Sequence, residues 1–160
     1  MSQSLIAALQ NPALYPHPVD GFQVIETHIS WVILTGPFAY KVKKPMNFGF
    51  LDFTSLDARE HFCGEELRLN QRLTNDLYLE VLPITGSPDA PQLGGDGPVI
   101  EYALKMRQFP QSGLLSTLQA NGELTTKHID EMAAHIAQFH LNAPKVPAEH
   151  EAGTPDSVMA

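Results

Sequence analysis

The sequence has few of the features that place a protein outside the cytosol or in a membrane. Its single cysteine, Cys63, excludes a disulfide within the chain and suits a reducing compartment. We interpret Cys63 as a small buried core residue rather than a nucleophile. The start of the chain lacks a signal-peptide pattern, and no run is apolar over the length of a transmembrane helix. These absences predict a cytoplasmic protein without a membrane partner.

Basic side chains are also scarce. Lys and Arg number 10 against 18 Asp and Glu, which gives a formal net charge of −8. Such a balance argues against a general nucleic-acid partner, although Lys41, Lys43 and Lys44 form a dense basic group. The histidine spacing predicts no metal site, because residues spaced like His135 and His140 do not share a helix face.

What the sequence does contain predicts an α+β fold. The chain has 160 residues, of which 43% are hydrophobic, enough for a globular core. Five strands are expected at 22–27, 31–35, 38–43, 78–84 and 99–106, and helices at 4–9, 55–73, 114–119 and 126–140. Short connections favour a five-stranded antiparallel sheet with the helix 55–73 packed on it. The Gly- and Pro-rich stretch 85–98 is expected to form a loop or hairpin turn.

The third predicted strand carries a candidate lysine, and the helix after it carries a candidate glutamate. Successive side chains of a strand alternate, so Ala39, Lys41 and Lys43 share one face. Glu66 falls on the apolar stripe of the helix, where an unpaired charge would be costly to bury. We expect Lys41 to pair with Glu66; the alternatives are Lys43 for the lysine and Glu65 for the glutamate. The apolar members of the stripe are Phe62, Leu69 and Leu73.

Five short blocks, in this order, resemble a known bacterial family. They are THISW at 27–31, AYKVKKP at 39–45, FGFLDF at 48–53, EELRLN at 65–70 and EYALKMR at 101–107. The blocks are similar to the aminoglycoside-phosphotransferase branch of the protein-kinase-like fold. Within that branch they resemble a family whose longer members join such a domain to a P-loop ATP-binding domain. The resemblance implies four parts: a lead-in at 1–21, a nucleotide-binding lobe at 22–109, the helical start of a second lobe at 110–141, and a linker or frayed tail at 142–160.

The resemblance also implies which residues would hold ATP. Lys41 would bind the phosphates, Glu66 would hold Lys41 in place, and Ala39 would pack against the adenine ring. The loop between the first two strands would cover the phosphates, and the segment after the fifth strand would be the hinge whose backbone contacts adenine. The candidate residues of the loop are Thr27 and Ser30. The hinge is the segment from Lys105 to Phe109, with Lys105, Met106 and Arg107 as its candidate binding residues.

By the same resemblance, the chain is part of a phosphotransferase that moves the γ-phosphate of ATP, with Mg²⁺, to a hydroxyl of a small molecule. Such an enzyme needs a catalytic-loop aspartate and metal-binding Asn and Asp residues. The sequence contains neither His-Gly-Asp nor the G-x-x-x-x-G-K-[ST] pattern of a P-loop. We therefore expect an N-terminal fragment without catalytic residues, inactive alone, whose acceptor contacts lie in a missing lobe.

Two other functions are alternatives at this stage. The block with Phe48, Phe50 and Phe53 imitates the RNA-contacting third strand of an RNA-recognition motif, where aromatic side chains stack on bases. That motif needs a helix between its first two strands, and 22–43 leaves no room for one. The second alternative is a kinase-like interaction domain without catalysis.

The last predicted helix suggests a homodimer. Four of its residues, Ile129, Met132, Ala133 and Ile136, form an apolar stripe that would pack into the second lobe of the resembled fold. Without that lobe, we expect the helix to fold back on the small lobe, to pair with a second copy or to stay poorly ordered. We favour pairing, which would cover the stripe.

Overall fold

The computed structural model describes residues 3–74, 76–147, 150, 154, 155 and 157. They belong to two compact units, the first ending at Gln111 and the second beginning at Ser112. The strands of the first unit are β1 (Gln23–Glu26), β2 (Ser30–Leu34), β3 (Phe38–Lys43), β4 (Tyr78–Ser87), β5 (Ala90–Leu93) and β6 (Val99–Arg107). Its helices are α1 (Gln3–Ala8) and α2 (Leu56–Asn70), with a 3-10 turn at Pro12–Leu14.

The six strands form one antiparallel sheet in the order β1-β2-β3-β6-β4-β5. The α+β class and the antiparallel pairing are confirmed, but the count of five strands was wrong. Strand β4 runs on to Ser87, and β5 pairs with it inside the stretch expected to be a loop. The sequence hides β5 because it contains Pro91, which a strand tolerates at the edge of a sheet.

One face of the sheet is covered by the N-terminal residues. Leu5, Ile6 and Leu9 are buried with Tyr15 in a cluster that includes Tyr40 of β3. The Tyr15 hydroxyl donates a hydrogen bond to the Leu9 carbonyl at 2.7 Å. Apolar residues of the expected lead-in, from Leu5 to Tyr15, are therefore part of the core, because their burial from water is favourable.

Helix α2 begins where the sequence predicts, because the Ser55 hydroxyl accepts a hydrogen bond from the Ala58 N–H. Its buried face differs from the expected apolar stripe. Arg59 and Cys63 are buried, whereas Leu69 of the predicted stripe is exposed, as is Leu73 just after the helix. Charged side chains can lie on this face because Arg59 and Glu66 form ion pairs with residues of the sheet. The prediction that Cys63 is a buried core residue is confirmed.

The structure also bears on the RNA-recognition alternative. The stretch from β1 to α2 is fully described, and no helix lies between β1 and β2. Residues 48–53 lie outside the named strands, with only an isolated bridge between Asn47 and Asp52. Phe50 is 90% exposed and Phe53 is buried, so the three phenylalanines do not share a sheet face. This arrangement does not supply the aromatic platform that the alternative required.

The second unit contains α3 (Leu115–Ala120) and α4 (Thr126–Asn142), and a 3-10 turn at Gln111–Gly113 spans the boundary. Both helices lie close to their predicted positions. Much of the tail expected at 142–160 falls outside the described residues. Within the described parts of the chain, no helix combines the length and apolar character needed to cross a bilayer.

Candidate functional site

Two lysines of β3 and one glutamate of α2 form an ion-pair cluster. Lys41 Nζ donates to Glu66 Oε1 at 2.6 Å, and Lys43 Nζ donates to Glu66 Oε2 at 2.6 Å. The predicted pairing of Lys41 with Glu66 is confirmed. The two alternatives resolve differently: Lys43 joins the same carboxylate, whereas Glu65 pairs with Arg68 on the surface at 2.7 Å.

Burial separates the roles of the two lysines. The side chain of Lys43 is 5% exposed and lies 4.8 Å from the centre of the Phe53 ring, so its ammonium is enclosed. The side chain of Lys41 is 23% exposed. An ammonium has three N–H donors, and the Glu66 bond uses one from Lys41. Lys41 is therefore the lysine that can offer further donors to a ligand.

The cluster keeps Glu66 ionised. Burial raises the pKa of its carboxyl, but the hydrogen bonds and charges of Lys41 and Lys43 outweigh burial and hold the pKa below its ordinary value. Cys63, one turn earlier on α2, has its pKa raised to about 11 by burial. The thiol is therefore protonated at neutral pH and offers no thiolate nucleophile here.

An apolar cavity of about 190 Å³ lies on the sheet around Ala39. Its apolar lining is Ile25, Val32, Leu34, Ala39, Leu77, Met106 and Phe109, and its polar lining is Tyr78, Arg107, Gln108 and Gln111. Complete small-molecule sites usually occupy roughly 300–1,000 Å³. The cavity is therefore suited to one flat ring rather than to a whole nucleotide.

The cavity adjoins the ion-pair cluster. Ala39 precedes Lys41 by two residues on the same strand face, a spacing of roughly 7 Å along a strand. Tyr78 lines the cavity, and its pKa is raised by burial and by the negative charge of Glu66, with Lys41 acting in the opposite sense. The apolar slot and the cationic group thus lie near each other along β3, which fits a ligand with a ring at one end and anionic oxygens at the other.

The hydroxyls of Thr27 and Ser30, which we expected to cover the phosphates, form hydrogen bonds within the β1–β2 turn. Thr27 Oγ1 lies 2.8 Å from Ser30 Oγ and accepts the Ser30 backbone N–H at 2.9 Å. Ser30 is buried. The two side chains stabilise their own turn, and the structure does not bring them to the Lys41 cluster by any hydrogen bond among the described residues.

The expected hinge divides between the two faces of the sheet. Met106 and Arg107 line the cavity. Lys105 lies on the other face, where its Nζ donates to Glu80 at 2.7 Å and lies 4.8 Å from the centre of the Phe38 ring. The backbone N–H of Arg107 donates to the Leu77 carbonyl at 2.8 Å, so that donor is already committed.

A buried arginine fixes α2 against the sheet and so positions Glu66. Arg59 Nε donates to both carboxylate oxygens of Glu101 at 2.9 Å. Its Nη1 donates to the carbonyls of Phe53, Thr54 and Ser55 at the start of the helix. Burial raises the pKa of Glu101, and Arg59 only partly opposes this. The pair is a structural clamp between α2 and β6.

Sequence reasoning missed the second bond to Glu66 and the lining residue Tyr78. The bond from Lys43 had a signal, because strand alternation places Lys43 on the face of Lys41. Tyr78 had none, because it reaches the cavity through a pairing with Met106, which is distant in sequence. No three His, Cys, Asp or Glu side chains of the described chain converge as a metal site.

The chain is similar to longer proteins of mycobacteria. It is 32% identical over 132 residues to uncharacterized proteins of Mycobacterium tuberculosis and Mycobacterium bovis, which covers 81% of this chain and 25% of each relative. The chain thus spans about a quarter of the length of the curated relatives it matches. No family model matches the chain. No solved structure matches it either.

Proposed function

We propose that the first unit is the ATP-binding lobe of a phosphotransferase. In the complete enzyme the γ-phosphate of ATP would pass to a hydroxyl of a small molecule. The observation that carries the proposal is the Lys41–Glu66 ion pair at 2.6 Å, placed beside an apolar cavity lined by Ala39. A strand lysine held by a helix glutamate is how kinases aim an ammonium at the phosphates of ATP.

Each part of the site has a separate task. The cavity around Ala39 and Met106 would take the adenine ring by apolar contact. The exposed side of the Lys41 ammonium would donate to phosphate oxygens. Glu66 restricts the flexible lysine to one direction, and Lys43 restrains Glu66 from the buried side. The chain's own residues thus bind and orient the nucleotide.

The proposal assigns no catalytic base and no magnesium ligand to this chain. The described residues do not suit a Mg²⁺ site, because no three acidic, histidine or cysteine side chains among them converge. The acceptor hydroxyl and the residues that activate it belong to the longer protein that the proposal supposes. We place that protein in the cytoplasm, where ATP is available and a lone cysteine such as Cys63 stays reduced.

The test is a titration of the ¹⁵N-labelled chain with Mg-ATP, followed by ¹⁵N–¹H NMR. We expect weak binding, with amide shifts concentrated at Ala39, Lys41, Tyr78 and Met106. Lys41→Met should weaken binding by roughly tenfold or more, because a charge-assisted hydrogen bond is lost.

Lys44→Met is the matched control. Lys44 is the neighbouring lysine but pairs with Glu26 and lies over the Trp31 ring, away from the cavity lining. It should leave ATP affinity within about twofold, well short of the tenfold expected from a charged contact. Equal losses of ATP affinity in both variants would mean that Lys41 acts only through its positive charge and not through a specific contact. Shifts that avoid the cavity altogether would refute the site, and would favour the interaction-domain alternative.

A further inference from the structure

Helix α2 is attached to the sheet by ion pairs at two points along one face. Arg59 Nε donates to both carboxylate oxygens of Glu101 on β6 at 2.9 Å. Two turns later, roughly 10 Å along the helix, Glu66 Oε2 accepts a hydrogen bond from Lys43 Nζ on β3 at 2.6 Å. Cys63 lies between these two points and is 0% exposed. The lone cysteine is therefore covered only while α2 lies on the sheet.

The two lysines that bond Glu66 differ in what could take its place. The ammonium of Lys43 is enclosed, and its other close neighbour is the Phe53 ring at 4.8 Å. Without Glu66 this charge would be buried with no carboxylate beside it, which is costly. Lys41 reaches solvent, so water can replace the carboxylate there at little cost. The bond from Lys43 is therefore the harder one to replace.

We propose that Lys43, rather than Lys41, fixes Glu66 and with it α2, so that the helix stays on the sheet when Lys41 turns its donors to an anionic ligand. Lys43 is then a positioning residue, which acts on the ligand through Glu66 and Lys41 without contacting it. The attachment of α2 needs no ligand, whereas the positioning role rests on the proposed function. A lobe built in this way holds its lysine in place before a ligand arrives, which avoids the cost of ordering α2 on binding.

The chain's single cysteine reports on this attachment. The buried thiol of Cys63 can react with the thiol reagent DTNB only when α2 leaves the sheet or when the whole chain unfolds. We expect Lys43→Met to raise the labelling rate roughly tenfold, the usual worth of one net hydrogen bond, and Lys41→Met to leave it within about twofold. Urea unfolding of each variant gives the rate expected from global unfolding alone, and labelling in excess of that rate measures detachment of the helix.

Lys44→Met is the matched control for labelling. Lys44 follows Lys43 in the chain but pairs with Glu26 and lies over the Trp31 ring, so its loss should leave the labelling rate of Cys63 unchanged. Lys43→Gln, an uncharged replacement of similar length, serves if Lys43→Met does not fold.

A titration with Mg-ATP tests the positioning role. Lys43→Met should weaken ATP binding by roughly fivefold although Lys41 is untouched, because Glu66 no longer holds Lys41 in one direction. In a chain that already carries Lys41→Met, the same substitution should change ATP affinity by less than about twofold, since it acts through Lys41.

The outcomes separate this inference from the proposed function. If Lys41→Met raises the labelling rate as much as Lys43→Met does, or if global unfolding accounts for all the labelling of Lys43→Met, then Lys43 does not fix the helix. A loss of ATP affinity that persists in full without Lys41 refutes the positioning role. If labelling follows the expected pattern but the unsubstituted chain does not bind ATP, the proposed function falls and the attachment of α2 by Lys43 stands.

Discussion

Glu66 accepts hydrogen bonds from two lysines that differ in exposure, and we assign them different roles for that reason. Lys43 is enclosed and donates a hydrogen bond to one carboxylate oxygen. Lys41 holds the other oxygen and still reaches solvent. Two ammonium groups and one carboxylate leave a net positive charge beside the cavity, and partial burial strengthens its pull on an anion.

Replacing Glu66 should reveal its contribution through a pH dependence. Glu66→Gln leaves the enclosed Lys43 without its counter-charge, and breaking such a buried pair costs about 3–5 kcal/mol. The folded-state pKa of Glu66 lies below its unfolded value, which is about 4.3. Its stabilisation is therefore fully present above the unfolded pKa and is lost as the pH falls through the folded pKa.

The measurement is urea unfolding of wild type and Glu66→Gln at several pH values. The gap between their free energies of unfolding should be constant near neutrality and should shrink below about pH 4. Glu65→Gln is the control, since Glu65 is on the same helix but pairs with Arg68 on the surface. It should cost far less at every pH. A Glu66→Gln gap that stays constant into acid would contradict the assignment of the lowered pKa.

At the scale of elements, the β4–β5 hairpin depends on a glycine that the sequence does not single out. Gly86 has φ +91°, and a Cβ there would lie 2.6 Å from the Ala90 carbonyl oxygen. Its N–H also donates to the Pro98 carbonyl at 3.0 Å. Gly86→Ala should therefore combine backbone strain with a backbone clash. We expect a loss of about 3 kcal/mol in the free energy of unfolding, at the upper end of the strain range.

Gly94→Ala separates the two causes. Gly94 has φ +80°, but beyond its two neighbours in the chain no described atom lies within 4 Å of the position its Cβ would take. This variant should lose only the strain of the positive φ, about 1 kcal/mol. Chemical unfolding of both variants measures the difference. Equal losses would show that the hairpin shifts to relieve the contact with Ala90.

The same hairpin shows where sequence patterns stop being informative. Strand β3 and the start of α2 were predictable, because alternation and the Ser55 cap are local signals. Strand β5 was not, because Pro91 and the nearby glycines give it the composition of a loop, and pairing with β4 makes it a strand. Spacing alone did not single out the Lys41–Glu66 pair; the expectation depended on the resemblance of the surrounding blocks to a kinase-like lobe. The position of Tyr78 at the cavity depended on a register between distant strands, which no local pattern encodes.

At the scale of the whole molecule, the second unit presents an apolar surface on α4. Ile129, Met132 and Ile136 share one helix face and are 44%, 41% and 43% exposed. The N-terminus of the helix is stabilised by a capping box that Thr125 and His128 form. A stable helix with such a stripe is expected to find cover in water, because contiguous apolar surface is unfavourable there.

We predict that the chain pairs through this stripe, one copy covering the other in a two-fold arrangement. Light scattering should give a mass of twice 17.6 kDa at high concentration. Ile129→Glu combined with Ile136→Glu should restore the monomer by placing charges on the stripe. Ala134→Glu combined with Gln138→Glu adds the same charge to the opposite face and should leave the dimer intact. Circular dichroism should show that both double variants keep their helix content. If the unsubstituted chain has a mass of 17.6 kDa at every concentration, the stripe does not pair.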